Sequence, residues 1–151
     1  MPAKTTRTAI RMEGLTLAVR DVKRSVAFYG KMLGFEVELD NAPDFAMIRV
    51  GGGGGGTIGL LAARHANRRG TRNATRAQHA AIHVELSTDD LDALYRRLKA
   101  RGVRFHEPPH DEPWERAMQT YDPDGYTVEI AEGRRGHNQP KSRRRSARVS
   151  T

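Results

Sequence analysis

Several arrangements of histidine, carboxylate and glycine in this chain could do chemistry, and most fail on local stereochemistry. His106-Glu107-Pro108-Pro109-His110 spells the HExxH pattern of zinc hydrolases. That pattern works only when both histidines share one helical face. Two consecutive prolines inside it forbid the helix, so the segment is expected as a loop before Trp114. Gly51 to Gly56 satisfies the GxGxxG dinucleotide pattern trivially. A phosphate cradle needs a helix N-terminus directly after the glycines. Thr57, Ile58, Leu60 and Leu61 follow instead and read as a strand, so a hairpin loop is expected. His79 and His83 are four residues apart, but the alternation over 80–87 favours a strand, in which they need not meet. His65 and His137 lie in polar segments and are expected to be solvated. The chain has no cysteine, which excludes disulfides, thiolate metal sites and a cysteine nucleophile. It has no GxSxG nucleophile elbow either.

What remains lies on two strand-like segments. Ile82, Val84 and Leu86 form one face of 82–87, so His83 and Glu85 point the other way. Glu129 and Thr127 likewise oppose Tyr126, Val128 and Ile130. An imidazole and carboxylates turned to one side suit metal ligation, with Glu129 or Glu85 as a general base. The favoured reading is a wetted polar face in which His83 and Glu129 are simply hydrogen-bonded, because a catalytic metal site needs about three protein ligands. Phe45, Met47, Trp114 and Tyr121 are candidate walls of an apolar pocket, and Arg116 could orient an anionic or carbonyl-bearing ligand. The plainer alternative is core aromatics and a surface arginine.

The elements that must position these residues repeat. Leu15, Leu17 and Val19 alternate with Thr16 and Ala18 as a strand. Asp21 then offers an N-cap to a helix carrying Val22, Val26, Tyr29 and Leu33, and Gly34 stops it. The second half runs from the 82–87 strand to Asp89 or Asp90 as cap, a helix with Leu91, Leu94, Tyr95 and Leu98, and Gly102 as stop. Three strand-like segments follow each helix: Phe35 to Leu39, Phe45 to Val50 and Thr57 to Leu61, then Val103 to Phe105, Ala117 to Tyr121 and Tyr126 to Ala131. Ala63 to Gln78 reads as an exposed, mobile linker between the halves. Asp122-Pro123-Asp124-Gly125 is a strong turn signal between antiparallel strands.

A net charge of +8 suggests nucleic acid, but its distribution does not. Residues 134–151 hold seven basic side chains and no acid, residues 1–11 hold three, and residues 12–133 are left at −2. The basic charge therefore sits in a flexible N-terminus (1–11) and a disordered tail (133–151), where weak phosphate contact is the expected nucleic-acid role. No stretch has the length of apolar residues that a membrane span needs, and residues 1–11 lack the apolar core of a secretory signal. A cytoplasmic location is expected.

Gly14-Leu15-Thr16-Leu17-Ala18-Val19-Arg20-Asp21-Val22, with Ser25, Phe28-Tyr29 and Leu33-Gly34-Phe35, resembles the opening of the vicinal oxygen chelate superfamily, which unites glyoxalases, bleomycin-resistance proteins and extradiol dioxygenases. Asp90 to Val103, Pro113-Trp114, Arg116, and Asp122-Pro123-Asp124-Gly125 to Ile130 resemble its later segments, although Glu115 stands where glycine is frequent. The likeness covers about 12–132, with modules near 13–63 and 80–132. It implies an α+β fold: two tandem βαβββ modules forming a cupped mixed β-sheet with helices outside. It also implies a homodimer and a small organic ligand in the cup. Metal-using members hold a divalent ion at four strand positions, which fall here on Gly14, Gly59, His83 and Glu129. Glycine cannot ligate, so the expected function is ligand sequestration without a complete metal site, with no cofactor beyond weak divalent metal. A metal-dependent lyase, isomerase or dioxygenase is the alternative.

Overall fold

The computed structural model describes residues 10, 12–51, 55–66 and 74–133. The basic tail with His137, most of the basic N-terminus, and residues 52–54 and 67–73 lie outside them. The chain runs β1 (Gly14–Val19), α1 (Val22–Val26), a π-helical turn (Ala27–Met32), β2 (Glu36–Asn41), β3 (Phe45–Arg49), β4 (Thr57–Ala62), α2 (Ala63–Ala66) and α3 (Arg76–Ala80). It continues β5 (His83–Ser87), α4 (Leu91–Ala100), β6 (Phe105–Asp111), β7 (Glu115–Tyr121) and β8 (Thr127–Gly133).

The expected repeat is plain in the topology. One four-stranded sheet has the order β1-β4-β3-β2 and the other β5-β8-β7-β6. In each, the first and last strands pair in parallel, and the other pairings are antiparallel. A parallel pair requires a crossover, which α1 and α4 supply. Both helices start as their sequences predict. Asp21 Oδ1 accepts from the Arg24 amide at 3.1 Å, and Asp90 Oδ1 from the Ala93 amide at 2.9 Å. Both ends are followed by glycine in the left-handed region, Gly34 at φ +84° and Gly102 at φ +93°, which other residues adopt at a cost. The helices and the inward faces of both sheets share one core, in which Tyr29, Ile48, Leu60, Leu91, Leu98, Met118 and Val128 are fully buried.

Two expectations need correcting. The segment His106 to His110 is not a loop: it lies within β6, an edge strand. An edge strand tolerates proline because one row of its amides needs no partner. The ladder to β7 shifts register between Glu107 and His110, where Pro108 and Pro109 stand. The described ends of the linker are helical rather than irregular, α2 at one side and α3 at the other. Thr75 and Gln78 form a reciprocal capping box that starts α3. His79 then stacks on Tyr126 at 4.3 Å between ring centroids and contacts the Asp124 carbonyl at 2.8 Å through Nδ1. The glycine run joins antiparallel strands, since β3 pairs with β4 across it and the Val50 amide donates to the Gly56 carbonyl. Among the described residues no helix is long and apolar enough to cross a membrane.

Candidate functional site

The face of the second sheet turned away from the core carries a continuous polar row. Strand alternation puts His83 and Glu85 of β5, Glu129 of β8, and Gln119 and Tyr121 of β7 on this face. Glu85 is paired with Glu129, and Gln119 with Glu129, across the ladders. His83 Nδ1 lies 3.9 Å from Glu129 Oε2, and Gln119 Nε2 donates to the same oxygen at 2.5 Å. The carboxylate only accepts, so it fixes the Gln119 amide with its oxygen turned outward. That oxygen contacts His106 Nε2 at 3.3 Å, so Nε2 carries the proton and donates. His106 lies flat on Tyr121, with ring centroids 3.8 Å apart. The row thus reads His83, Glu129, Gln119, His106, Tyr121, crossing all four strands.

Residue by residue, the expected site is divided. His83 and Glu129 do meet. Tyr121 belongs to the same row. Trp114 lies in the turn before β7, at the opposite end of that strand from Tyr121 and about 20 Å away by strand rise. Arg116 is on the other face of β7, where it pairs with Asp92 at 3.0 Å and Asp111 at 3.3 Å. Hydrogen bonding to Asp92 raises its pKa further. It is turned toward α4 rather than into the row. Phe45 and Met47 stand on the first sheet, which no backbone ladder joins to the second. The sequence does not point to Gln119, nor to His106 outside the rejected HExxH pattern, though the alternation of Ala117, Gln119 and Tyr121 with Met118 and Thr120 is a readable signal for the former. His106 was hidden by its prolines.

The first sheet shows what the row looks like without chemistry. Gly14 pairs with Thr57, two residues before Gly59, just as His83 pairs with Thr127, two residues before Glu129. The two halves therefore superpose Gly14 on His83 and Gly59 on Glu129 in register. Across the first sheet the matching row is Thr16, Gly59, Met47 and Leu39, which is largely apolar. Both glycines are sterically closed. A Cβ at Gly14 would lie 2.1 Å from the Thr57 carbonyl oxygen, and one at Gly59 would lie 2.7 Å from Thr16 Oγ1 and 3.3 Å from Phe45 Cε2. The space where a ligating side chain would begin is filled by a backbone carbonyl at one corner and by Thr16 and the Phe45 ring at the other. Among the described residues no three His, Asp or Glu side chains cluster as metal ligands. These residues do not fit a complete divalent-metal centre.

The model of the Glyoxalase/Bleomycin resistance protein/Dioxygenase superfamily matches residues 11–130. The chain belongs to that superfamily. Solved members and relatives share its fold. A glyoxalase/bleomycin resistance protein/dioxygenase from Nocardioides is 24% identical with a TM-score of 0.69, over 87% of this chain and 89% of the other. A superfamily member from Sphaerobacter thermophilus DSM 20745 is 28% identical with a TM-score of 0.63, over 82% and 97%. TnmS3, an antibiotic binding protein from Streptomyces sp. CB03234, is 24% identical with a TM-score of 0.66, over 84% and 99%. No curated protein matches. In each of the two pseudo-equivalent pairs just described, Gly14 with His83 and Gly59 with Glu129, the first-module member is glycine.

Proposed function

We propose that this superfamily member captures a small, partly aromatic cationic compound and has no complete metal centre. The observation that carries the reading is the closure of Gly14 and Gly59 by Thr57, Thr16 and Phe45. Those corners carry neither imidazole nor carboxylate where a Lewis-acid site needs donors. Glu85 and Glu129 supply negative charge on the second sheet, and Tyr121 supplies a ring. Phe45, Met47 and Leu39 supply an apolar wall on the first. Capture then follows from desolvation by the wall and orientation by a few polar groups. The fold shared with an antibiotic binding protein supports the same reading. Val37 and Leu39 of the edge strand β2, and Ile82 beside β5, are exposed. Such apolar edges favour a homodimer, in which the wall and the acidic row come from one chain or from two copies. A cytoplasmic setting is part of the same proposal.

The test uses the full chain purified from metal-supplemented medium. Metal content well below one ion per chain is expected. Calorimetric titration with the cationic dye 9-aminoacridine should show binding, and Glu129→Gln should weaken that binding about tenfold, a loss of ~1.4 kcal/mol. One tightly held ion per chain, released by His83→Ala, would instead establish a metal-dependent lyase, isomerase or dioxygenase.

A further inference from the structure

A second recess has the opposite chemistry. It opens at the seam between the halves, bounded by α1 and the following π-helical turn on one side and by the start of β6 and the end of β7 on the other. Its volume is about 650 Å³, within the usual range for small-molecule sites. Arg24, Arg76 and Arg104 line it. Arg76 reaches the Pro123 carbonyl at 3.3 Å. Among the described residues neither the Arg24 nor the Arg104 guanidinium has an acidic partner. The one carboxyl in the lining, Asp122, is 2% exposed and already accepts from the Tyr29 hydroxyl and from the amides of Asp124 and Tyr126. Three arginines therefore line the recess with no free countercharge among the described residues, in a domain whose residues 12–133 are net negative.

Between the arginines the lining is aromatic. Phe28 and Phe105 form the apolar side. The flat His106–Tyr121 pair closes one end, with Tyr121 42% exposed. A stacked pair offers its outer surface to a further planar ring, and guanidinium groups grip phosphate or carboxylate in a fork.

We propose that this seam recess is a binding site for a planar aromatic anion, one carrying a phosphate or carboxylate group, adjoining the polar row at His106 and Tyr121 but separate from its His83–Glu129 end. The ring lies against His106–Tyr121 and the phenylalanines, and Arg24 and Arg104 hold the anion. The site needs neither a metal nor the second sheet's carboxylates. Its wall is shared with the polar row, while its charge is opposite.

Calorimetric titration of the full chain tests it with four probes of one ring system: 1-naphthyl phosphate, 1-naphthoate, 1-naphthalenemethanol and 1-naphthylmethylammonium. The phosphate or the carboxylate should bind at least tenfold tighter than the alcohol, and whichever is tighter identifies the anion. The ammonium should bind weakest. The double variant Arg24→Gln/Arg104→Gln changes exposed side chains and should remove the tenfold preference. His106→Ala should weaken all four probes by a similar factor. The same double variant should leave 9-aminoacridine affinity unchanged, so this site and the capture function fail separately. Equal binding of anion and ammonium would overturn the proposal. So would an anion preference that survives the double variant, since Arg24 and Arg104 would then not hold the anion.

Discussion

The Tyr29 hydroxyl donates a 2.9 Å hydrogen bond to Asp122 Oδ2, joining the first module's helix to the second module's β7–β8 turn across 93 residues. Tyr29 is fully buried, and burial, reinforced by Asp122, pushes its hydroxyl pKa far above the ordinary tyrosine value. The phenol therefore stays neutral and donates. Asp122 is held on its other oxygen by the amides of Asp124 and Tyr126. Nearby, Asp124 accepts from the Arg20 amide at 2.9 Å, and the Tyr126 hydroxyl donates to the Ala18 carbonyl at 2.9 Å. The turn thus acts as a clamp between the halves. Tyr29→Phe should cost about 1–3 kcal/mol, because a buried carboxyl oxygen loses its donor. Urea unfolding checks this; a loss below a few tenths would mean that the two halves are held by apolar packing alone.

Asp122 also makes a pH prediction. Burial raises its pKa above the ordinary 3.8, and the bonds from Tyr29, Tyr126 and Asp124 only partly offset this. A carboxyl raised in the folded state binds its proton more tightly there than in the unfolded chain. Its contribution to stability is thus fully present below the unfolded pKa and is lost as pH rises through the folded value. Asp122→Asn removes that titration. The variant's stability relative to the parent should increase as pH rises from strongly acidic conditions through the folded pKa of Asp122. Parallel unfolding curves at each pH would show a flat difference if the carboxyl were not perturbed.

The closed glycine corners predict a graded cost. Gly59→Ala meets a side-chain hydroxyl and a ring edge, which can shift a little. Gly14→Ala meets a backbone carbonyl and must break the first rung of the β1–β4 pairing. Overpacking of this kind costs about 1–3 kcal/mol, and the Gly14 variant should lose more. Thermal denaturation of both variants checks the order. Neither Gly59→Glu nor Gly14→His should raise metal affinity, which equilibrium dialysis against Zn²⁺ reads directly.

Ser25 supplies an improvement. It is fully buried in α1, and its Oγ is the one buried side-chain polar atom without a hydrogen-bond partner among the described residues. An unpaired buried hydroxyl is destabilising, and alanine is the better helix former. Ser25→Ala should raise stability by about 1 kcal/mol, seen as a higher urea midpoint with an unchanged slope. A lower midpoint would reveal a role for the hydroxyl that its surroundings do not show.

Local patterns determine much of this protein. Caps at Asp21 and Asp90, stops at Gly34 and Gly102, and period-two alternation depend on neighbours a few residues apart, so the two βαβββ units and the outward turn of His83 and Glu129 were legible in the chain. The prolines that ruled out a helix at 106–110 did not reveal a bulged edge strand, because an edge exists only once a sheet does. Asp122 and Asp124 are legible as turn residues, but their partners Tyr29 and Arg20 lie about a hundred positions away. Arg116 looked like a ligand contact and is tied to Asp92 on α4. Which side chains share a face is a property of the backbone's period. Which faces meet, which charges are answered and which corners are filled are decided by packing between distant segments, and only the tertiary structure holds that information.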